Sequence, residues 1–136
     1  MDSEKREAVR TGTYLMLVAI ELGTYCADHG IYFVIENPST SLAWEFEPMK
    51  VLCGHPSVFS VVLDYCQYGE EWRKTTKFIT NCEALRPLER RCHCLKGICS
   101  ATGRPHRELR GRVPAGTQGY LSVASELWTK VACPYP

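Results

Sequence analysis

Apolar side chains recur at helical spacing through the first 30 residues. They stand at steps of three or four residues, or multiples of these, at Val9, Leu15, Val18, Leu22 and Tyr25 or Cys26, with Leu17 and Ile20 widening the stripe. Such a stripe predicts an amphipathic helix over residues 4–29 whose apolar face packs on the sheet. Ser3 is the expected N-cap, and His29-Gly30 is the expected C-terminal stop.

A continuous apolar run follows this helix at once. Ile31-Tyr32-Phe33-Val34-Ile35 is typical of a buried strand in a parallel sheet. Glu36-Asn37-Pro38 ends the run, because proline has no amide hydrogen to offer a sheet. A carboxylate and an amide are therefore expected at the carboxyl end of a buried strand, where open α/β sheets bind ligands. In the alternative interpretation, Glu36 caps the following helix and Asn37-Pro38 forms an ordinary turn.

The remaining pattern predicts an α/β fold. A second helix is expected over residues 42–53, with Ser39-Thr40-Ser41 as caps and Pro48 as a point of division. Strands are expected over residues 58–63 and 77–80, joined through residues 70–76 as a hairpin at the edge of an otherwise parallel sheet. The C-terminal half then predicts a short helical turn over residues 85–88, an extended loop over 90–117 and a helix over 121–131.

These elements together predict a partial Rossmann-like, methyltransferase-type sheet with flanking helices. We expect residues 1–81 to form the α/β core. Residues 82–136 are expected to form a basic Cys/His-rich loop region and a C-terminal helix within the same domain.

Composition is that of a globular protein of one domain. The chain has 136 residues, of which 45% are hydrophobic and 23% charged. No apolar run reaches the roughly 20 residues of a membrane span. The apolar segment 14–20 follows acidic residues and lacks a small-residue cleavage site, so we expect no signal peptide. Cys26, Cys53 and Cys66 lie in apolar segments, as buried free thiols do, which favours a reducing intracellular compartment, the nucleus in a eukaryote.

The net charge of +1 conceals a strong asymmetry. Residues 1–71 hold four basic and eleven acidic residues, a balance of −7, whereas residues 72–136 hold twelve basic and four acidic residues, a balance of +8. Within residues 86–112 there are eight basic residues and two acidic ones. The C-terminal half is therefore expected to face a polyanion, with a solvated basic face as the alternative.

Four short motifs occur in a fixed order along the chain. They are Ile35-Glu36-Asn37-Pro38 with Ser41 and Trp44, Tyr65-Cys66-Gln67-Tyr68-Gly69, Arg73-Lys74-x-Thr76 with Thr80-Asn81, and Gly116-Thr117-Gln118-Gly119. In this order they resemble the second part of the catalytic domain of cytosine-5 DNA methyltransferases, and most closely a divergent methylase-like branch found in phages and some eukaryotic elements. The resemblance covers nearly the whole chain. It implies DNA as partner and S-adenosylmethionine as the parent cofactor.

The resemblance also implies roles for individual residues. Glu36 would share a proton with, or hydrogen-bond, a cytosine that has left the duplex, and Asn37 would hold the turn or contact substrate. Arg73 and Lys74 would contact the base or a phosphate. With the basic loop, the expected nucleic-acid contacts are Arg73, Lys74, Thr76, Arg86, Arg90, Arg91, Arg104, Arg107 and Arg110.

Two motifs of that family do not occur in this sequence. The Gly-rich S-adenosylmethionine loop and the Pro-Cys nucleophile precede the matching helix in the family, and the 136 residues contain neither. Tyr65-Cys66-Gln67 imitates Pro-Cys-Gln but follows the Glu-Asn strand. We therefore expect a degenerate copy, a fragment, or one half of a split enzyme whose partner is the missing N-terminal half. A non-catalytic nucleic-acid-binding module, or an interaction domain that docks such a half by its sheet edge, are the alternatives.

The loop region also concentrates metal-ligating residue types. Zinc would suit this composition and would staple a loop that has little core of its own. The expected pool of ligands is Cys82, Cys92, Cys94, Cys99 and His106. The Cys92-x-Cys94 spacing is tighter than the usual Cys-x-x-Cys, so free thiols in a reducing cell remain the alternative.

Overall fold

The structure is a computed structural model that describes residues 3–108, and these fold around a three-stranded sheet. The strands are β1 (Val34–Pro38), β2 (Phe59–Asp64) and β3 (Thr75–Thr80), in the order β1-β3-β2. The helices are α1 (Ser3–Asp28) and α2 (Glu47–Cys53). Short 3-10 turns cover Leu42–Glu45, Tyr65–Tyr68 and Glu83–Leu88.

The strand pairing corrects the expected parallel sheet. β3 pairs antiparallel with β1 and with β2, and it lies between them. The hairpin between β2 and β3 is confirmed, but β3 occupies the centre and not the edge. Since both neighbours run opposite to β3, β1 and β2 share one direction without touching. The described residues therefore show a mixed α/β fold with a small antiparallel sheet, and not a full Rossmann-like one.

The carboxyl ends of β1 and β2 lie at the same end of the sheet. Pro38 is the register partner of Thr76, and Asp64 is the partner of Thr75. We call this end, formed by the last residues of β1 and β2 and the first of β3, the carboxyl edge.

β1 lies three residues later than the sequence predicted. Ile31 and Tyr32 are 48% and 57% exposed and precede the strand, which runs through Glu36, Asn37 and Pro38. Pro38 is tolerated because β1 is paired only with β3 in the described sheet, so one side of the strand needs no amide hydrogen.

Side chains at the end of β3 hold the approach to β1 in place. Asn81 donates from its amide to the carbonyl of Ile31 (2.9 Å) and accepts from the N–H of Phe33 (3.1 Å). The Thr80 hydroxyl donates to the carbonyl of Phe33 (2.6 Å). Residues 31–33 precede β1 and form no backbone ladder with β3, so these side-chain bonds satisfy their backbone groups instead.

The second helix divides as predicted. The Ser41 hydroxyl accepts from the N–H of Ala43 (3.2 Å) and caps the 3-10 turn Leu42–Glu45. Pro48 lies in the first turn of α2, where its missing N–H would have no helical partner in any case. The predicted turn near residues 85–88 is confirmed as Glu83–Leu88.

Both faces of the sheet are covered by apolar side chains. α1 and α2 cover one face, around Ile20, Met49, Leu52 and Ile79. The other face carries a second cluster of Val61, Leu63, Tyr65 and Phe78, with Val34, Phe59, Tyr68, Trp72 and Leu88 packed against it. The carboxyl edge lies between the helices on one face of the sheet and the Val61 cluster on the other.

α1 buries a different face from the one predicted. Its buried residues are Ile20, Gly23 and Ala27, while Leu15 and Leu22 are each 60% exposed. Gly23 permits the close approach, because a Cβ there would lie 3.0 Å from Cδ2 of Leu52. Ser3, expected as the cap, is already helical. Of the predicted stripe, Ile20 alone is buried in the core, so most of the stripe is not the core face.

None of the helices in residues 3–108 combines the length and the apolar content of a membrane span. The predicted helix over residues 121–131, the Gly116-Thr117-Gln118-Gly119 motif and Arg110 lie outside the described residues.

Candidate nucleic-acid and metal site at the carboxyl edge

A fully buried carboxylate ends β2. The Asp64 side chain has 0% exposure. One of its oxygens accepts from the Thr75 hydroxyl and lies 3.4 Å from Nε of Arg73. The other accepts from the backbone N–H of Cys92 (2.7 Å) and from Nε of Arg91 (3.4 Å). Asp64 thus ties β2 to the start of β3 and to the loop that carries Cys92.

The surroundings of Asp64 favour its charged form. Burial acts to raise the pKa of Asp64, but the hydrogen bonds from Thr75 and Cys92 and the charge of Arg73 outweigh it, so the pKa lies below its ordinary value. The Asp64 carboxylate is therefore a buried anion between the guanidinium groups of Arg73 and Arg91. The Arg73 and Arg91 side chains remain 37% and 44% exposed, so each presents an outer face to solvent.

Glu36 and Lys74 meet at the same edge. The Lys74 ammonium lies 3.6 Å from Oε1 of Glu36 and 5.1 Å above the Tyr65 ring. The Glu36 side chain is 36% exposed, which corrects the expectation of a buried carboxylate. The reason is the strand shift, which places Glu36 inside an edge strand and not beyond a central one. Asn37 is half-buried and is the register partner of Lys77.

The remaining predicted basic residues divide between the two ends of the sheet. Arg90 lies over the Tyr68 ring at 5.4 Å, and Arg107 lies 3.5 Å from Glu71. Arg104 is exposed on the loop, where its carbonyl accepts from the N–H of Cys99. Arg86 instead lies over Phe59, at the opposite end of β2, and pairs with Glu83.

Thr76 is a further correction among the predicted contacts. It is 0% exposed within β3, so its side chain cannot reach a nucleic acid in this fold. Its hydroxyl has no hydrogen-bond partner among the described residues.

Four potential metal ligands converge beside Asp64. The ligand atoms of Cys66, Cys92, Cys99 and His106, which we call the Cys3His group, all lie within 4.8 Å of one another. The Cys92 sulfur lies 3.8 Å from that of Cys99 and 3.6 Å from Nε2 of His106. With Zn–S bonds of about 2.3 Å, a tetrahedral site has ligand separations of about 3.8 Å. The group could therefore hold a metal ion such as zinc with little rearrangement.

A tight turn brings the ligands together. Lys96 and Gly97 adopt positive φ angles of 51° and 79°, and the chain reverses between Leu95 and Ile98, which bond to each other's backbone. This reversal returns Cys99 to Cys92, and the bridge between Ile98 and Pro105 brings back His106. Cys66 comes from the 3-10 turn that follows β2, so the group joins the loop to the sheet.

The thiols do not share one protonation preference. Burial raises the pKa of Cys66 to about 12. Burial also acts to raise the pKa of Cys92, but hydrogen bonds from the N–H and hydroxyl of Ser100 lower it to about 6. Burial acts to raise the pKa of Cys99 too, but hydrogen bonds from Thr102 lower it. Of the three thiols, Cys66 alone therefore favours its protonated form, and a bound cation would allow all three to ionise.

The group lacks two members of the predicted pool and contains one residue from outside it, Cys66. Cys82 is buried at the start of the Glu83–Leu88 turn and is not part of it. Cys94 lies beside the group, with its sulfur 3.2 Å from Cys92 and 3.6 Å from Arg73, but is not one of the four. The sequence reasoning missed Cys66 and Asp64. Both follow the second strand directly, so the argument applied to Glu36 at a strand end would have singled them out.

Comparison of the chain with protein-family models, with curated proteins and with solved structures finds no match.

Proposed function

We propose that the carboxyl edge binds DNA and that the fold is related to the second part of a cytosine-5 methyltransferase catalytic domain. The observation that carries the proposal is the ion pair between Lys74 and Glu36 at 3.6 Å, which unites two motifs 38 residues apart. The charged triad of Asp64, Arg73 and Arg91 lies at the same edge.

The strand order supports the same proposal. In the resemblance a strand ending in Glu-Asn is followed along the chain by a later strand after the basic motif, and here the corresponding β1 and β3 are direct neighbours. Fold analogy alone does not assign an activity, so the function must be argued from the edge itself.

The side chains at this edge suit binding better than methyl transfer. Glu36 and Asn37 could hydrogen-bond an extruded base, and Lys74, Arg73 and Arg91 could take the flanking phosphates. Methyl transfer also needs a thiolate nucleophile and an S-adenosylmethionine site, and the sequence lacks both family motifs. A second polypeptide half could supply them along the outer side of β1, which has no strand partner among the described residues.

Salt-dependent binding to duplex DNA tests the proposal. We expect Lys74→Gln and Arg91→Gln each to weaken binding and to lower the slope of log affinity against log salt by about 1. Arg86→Gln is the matched control, because Arg86 lies at the other end of the sheet. Fluorescence anisotropy over a salt series gives both quantities. DNA affinity that does not change with salt concentration, or an equal loss of affinity in Arg86→Gln, would contradict the proposal.

A second experiment separates the methyltransferase relation from a simple binding module. Glu36→Gln should reduce the preference for a duplex with a mismatched, easily extruded cytosine while leaving affinity for the paired duplex nearly unchanged. An equal effect on both duplexes would favour the non-catalytic module. Calorimetry with S-adenosylmethionine should give no binding, and tight binding would contradict the assignment.

We also propose that the Cys3His group binds zinc and that the ion is structural. Three thiolates and one imidazole are a common closed ligand set for structural zinc, with no position left for substrate. The ion would fix residues 92–106 to the end of β2 through Cys66. None of the seven cysteines in residues 3–108 forms a disulfide, which fits a reducing compartment, the nucleus in a eukaryote.

Metal content tests the zinc proposal. The purified protein should carry one zinc per chain, and Cys66→Ser should weaken zinc affinity at least tenfold. Cys82→Ser is the control, because Cys82 is equally a buried cysteine but lies outside the group. Cobalt substitution should give the absorption of a tetrahedral thiolate site. Full zinc retention in Cys66→Ser, or a loss in Cys82→Ser alone, would contradict the assignment.

A further inference from the structure

α1 carries a second apolar stripe whose large side chains are exposed, while Val18 at its centre is half-buried. Leu15, Val18, Leu22 and Tyr25 follow one another at steps of three, four and three residues. This is the spacing of one helix seam packing against another. Tyr14 lies beside Leu15 on the same side. The four largest of these side chains are between 56% and 66% exposed.

The stripe lies opposite the face that packs on the sheet. The core face is formed by Ile20, Gly23 and Ala27, and at 100° per residue its direction is about 160° away from the mean direction of the stripe. A helix that is apolar on two opposite faces is normally covered on both. Among the described residues, other elements pack against the core face of α1 but not against the stripe.

We propose that the stripe is the interface of a symmetric dimer, in which α1 of one chain packs antiparallel on α1 of a second copy. The stripe is self-complementary about its centre, since Leu15 would meet Tyr25 of the partner and Val18 would meet Leu22. That is the property a two-fold interface requires.

The charges on α1 favour the antiparallel orientation. Three basic and two acidic residues lie near its start, namely Lys5, Arg6, Arg10, Glu4 and Glu7. Glu21 and Asp28 lie near its end, where Asp28 is 56% exposed and also contacts His55 of its own chain. Arg10 and Asp28 are separated by 18 residues, about five full turns, so both lie on the same flank of the stripe. In an antiparallel pair each exposed Arg10 faces the exposed Asp28 of the partner.

The exposed area of the stripe sets the expected strength of the dimer. Its large side chains expose on the order of 500 Å² per chain, which is close to the roughly 600 Å² per partner of the smaller stable interfaces. We therefore expect a reversible dimer with a dissociation constant on the order of 10 µM, and not an obligate one.

Sedimentation equilibrium of the full chain from roughly 1 µM to about 1 mM tests the proposal by spanning the expected dissociation constant. The wild type should change from monomer to dimer, and Leu22→Glu should remain monomeric at every concentration. Val51→Glu is the matched control, because Val51 is an equally exposed apolar residue on α2. Arg10→Glu should weaken the dimer about tenfold, and adding Asp28→Arg should restore it.

Three outcomes would overturn the dimer. These are a wild type that stays monomeric, a dimer that Leu22→Glu leaves intact, and a charge swap that fails to restore association. In a monomer, protection of Tyr14 and Tyr25 from iodination that disappears in Trp128→Glu would instead assign the stripe to the C-terminal segment of the same chain.

Discussion

Asp64 is the residue on which the local structure depends most. Its carboxylate is fully buried and receives four donors from two segments of the chain, residues 73–75 and 91–92. Asp64→Asn would keep the size but replace the anion, and would leave Arg73 and Arg91 without their counter-charge. Breaking a buried ion pair costs about 3–5 kcal/mol. We expect a loss in the free energy of unfolding at the lower end of that range, since both arginines can rotate into water.

Urea denaturation at neutral pH measures this loss. Glu83→Gln is a suitable control, because it breaks an exposed pair with Arg86 and should change the free energy of unfolding by less than about 1 kcal/mol. A similar loss in both variants would contradict the central role of Asp64.

The contribution of Asp64 should depend on pH in one direction. Its folded-state pKa lies below the unfolded value of 3.8. Stability from this group is therefore complete above the unfolded pKa and is lost as pH falls through the folded one. The difference in unfolding free energy between wild type and Asp64→Asn should stay constant above about pH 5 and shrink below about pH 4. A difference that grew on acidification would refute the assignment.

Replacing Thr76 should change the free energy of unfolding in the opposite direction to replacing Asp64. Its hydroxyl is buried without a partner among residues 3–108. Thr76→Val keeps the shape and removes the unpaired polar group, so it should raise the free energy of unfolding by about 1 kcal/mol. Thr80→Val is the contrast, because that hydroxyl donates to Phe33 and accepts from Cys82, and its loss should destabilise. A destabilised Thr76→Val would reveal a hidden partner.

At the level of elements, the loop over residues 90–106 should depend on metal more than the sheet does. The proposed zinc ligands would hold it to β2, and its backbone bridges are isolated ones. Removing zinc with a chelator should speed amide exchange in residues 92–106 at least tenfold while β2 and β3 stay protected. Hydrogen exchange read by mass spectrometry checks this. Uniform exchange across the chain would show a global role for the metal instead.

Element types were predictable from the sequence, but their arrangement was not. The run of apolar residues before Glu36 indicated a strand, and Pro48 indicated a divided helix, because both are local effects. The pairing of β3 between β1 and β2 depends on contacts across the chain that no local pattern encodes. The same lack of long-range information explains why most of the stripe predicted for α1 is not its core face. Periodicity found Leu15 and Leu22, but burial follows the small residues Gly23 and Ala27, which allow close approach.

Candidate site residues were predictable to a similar degree. Residue type marked the loop as metal-ligating, and three of the four members of the Cys3His group were in the expected pool. Cys66 was not, because it is distant in sequence and joins the group only when the loop folds back on β2. Lys74 and Glu36 were expected at one site, and the structure brings them together.

For the whole molecule, the charge asymmetry should appear as a one-sided DNA footprint. The carboxyl edge carries Arg73, Lys74 and Arg91, while Arg86 lies at the far end of the sheet beside Glu83. Amide shifts on adding a short duplex should therefore cluster in residues 64–75 and 90–107. Residues 55–59 and 81–86 are the internal control, and shifts of equal size there would contradict a single binding edge.

The anchoring of Arg73 and Arg91 on Asp64 has one consequence for recognition. A free arginine loses about 2 kcal/mol of rotamer freedom when a phosphate immobilises it. These two guanidinium groups are already held, so an incoming phosphate would find them oriented and would meet a smaller entropic penalty. An oligonucleotide should consequently bind with less unfavourable entropy to the wild type than to a variant whose arginines move freely.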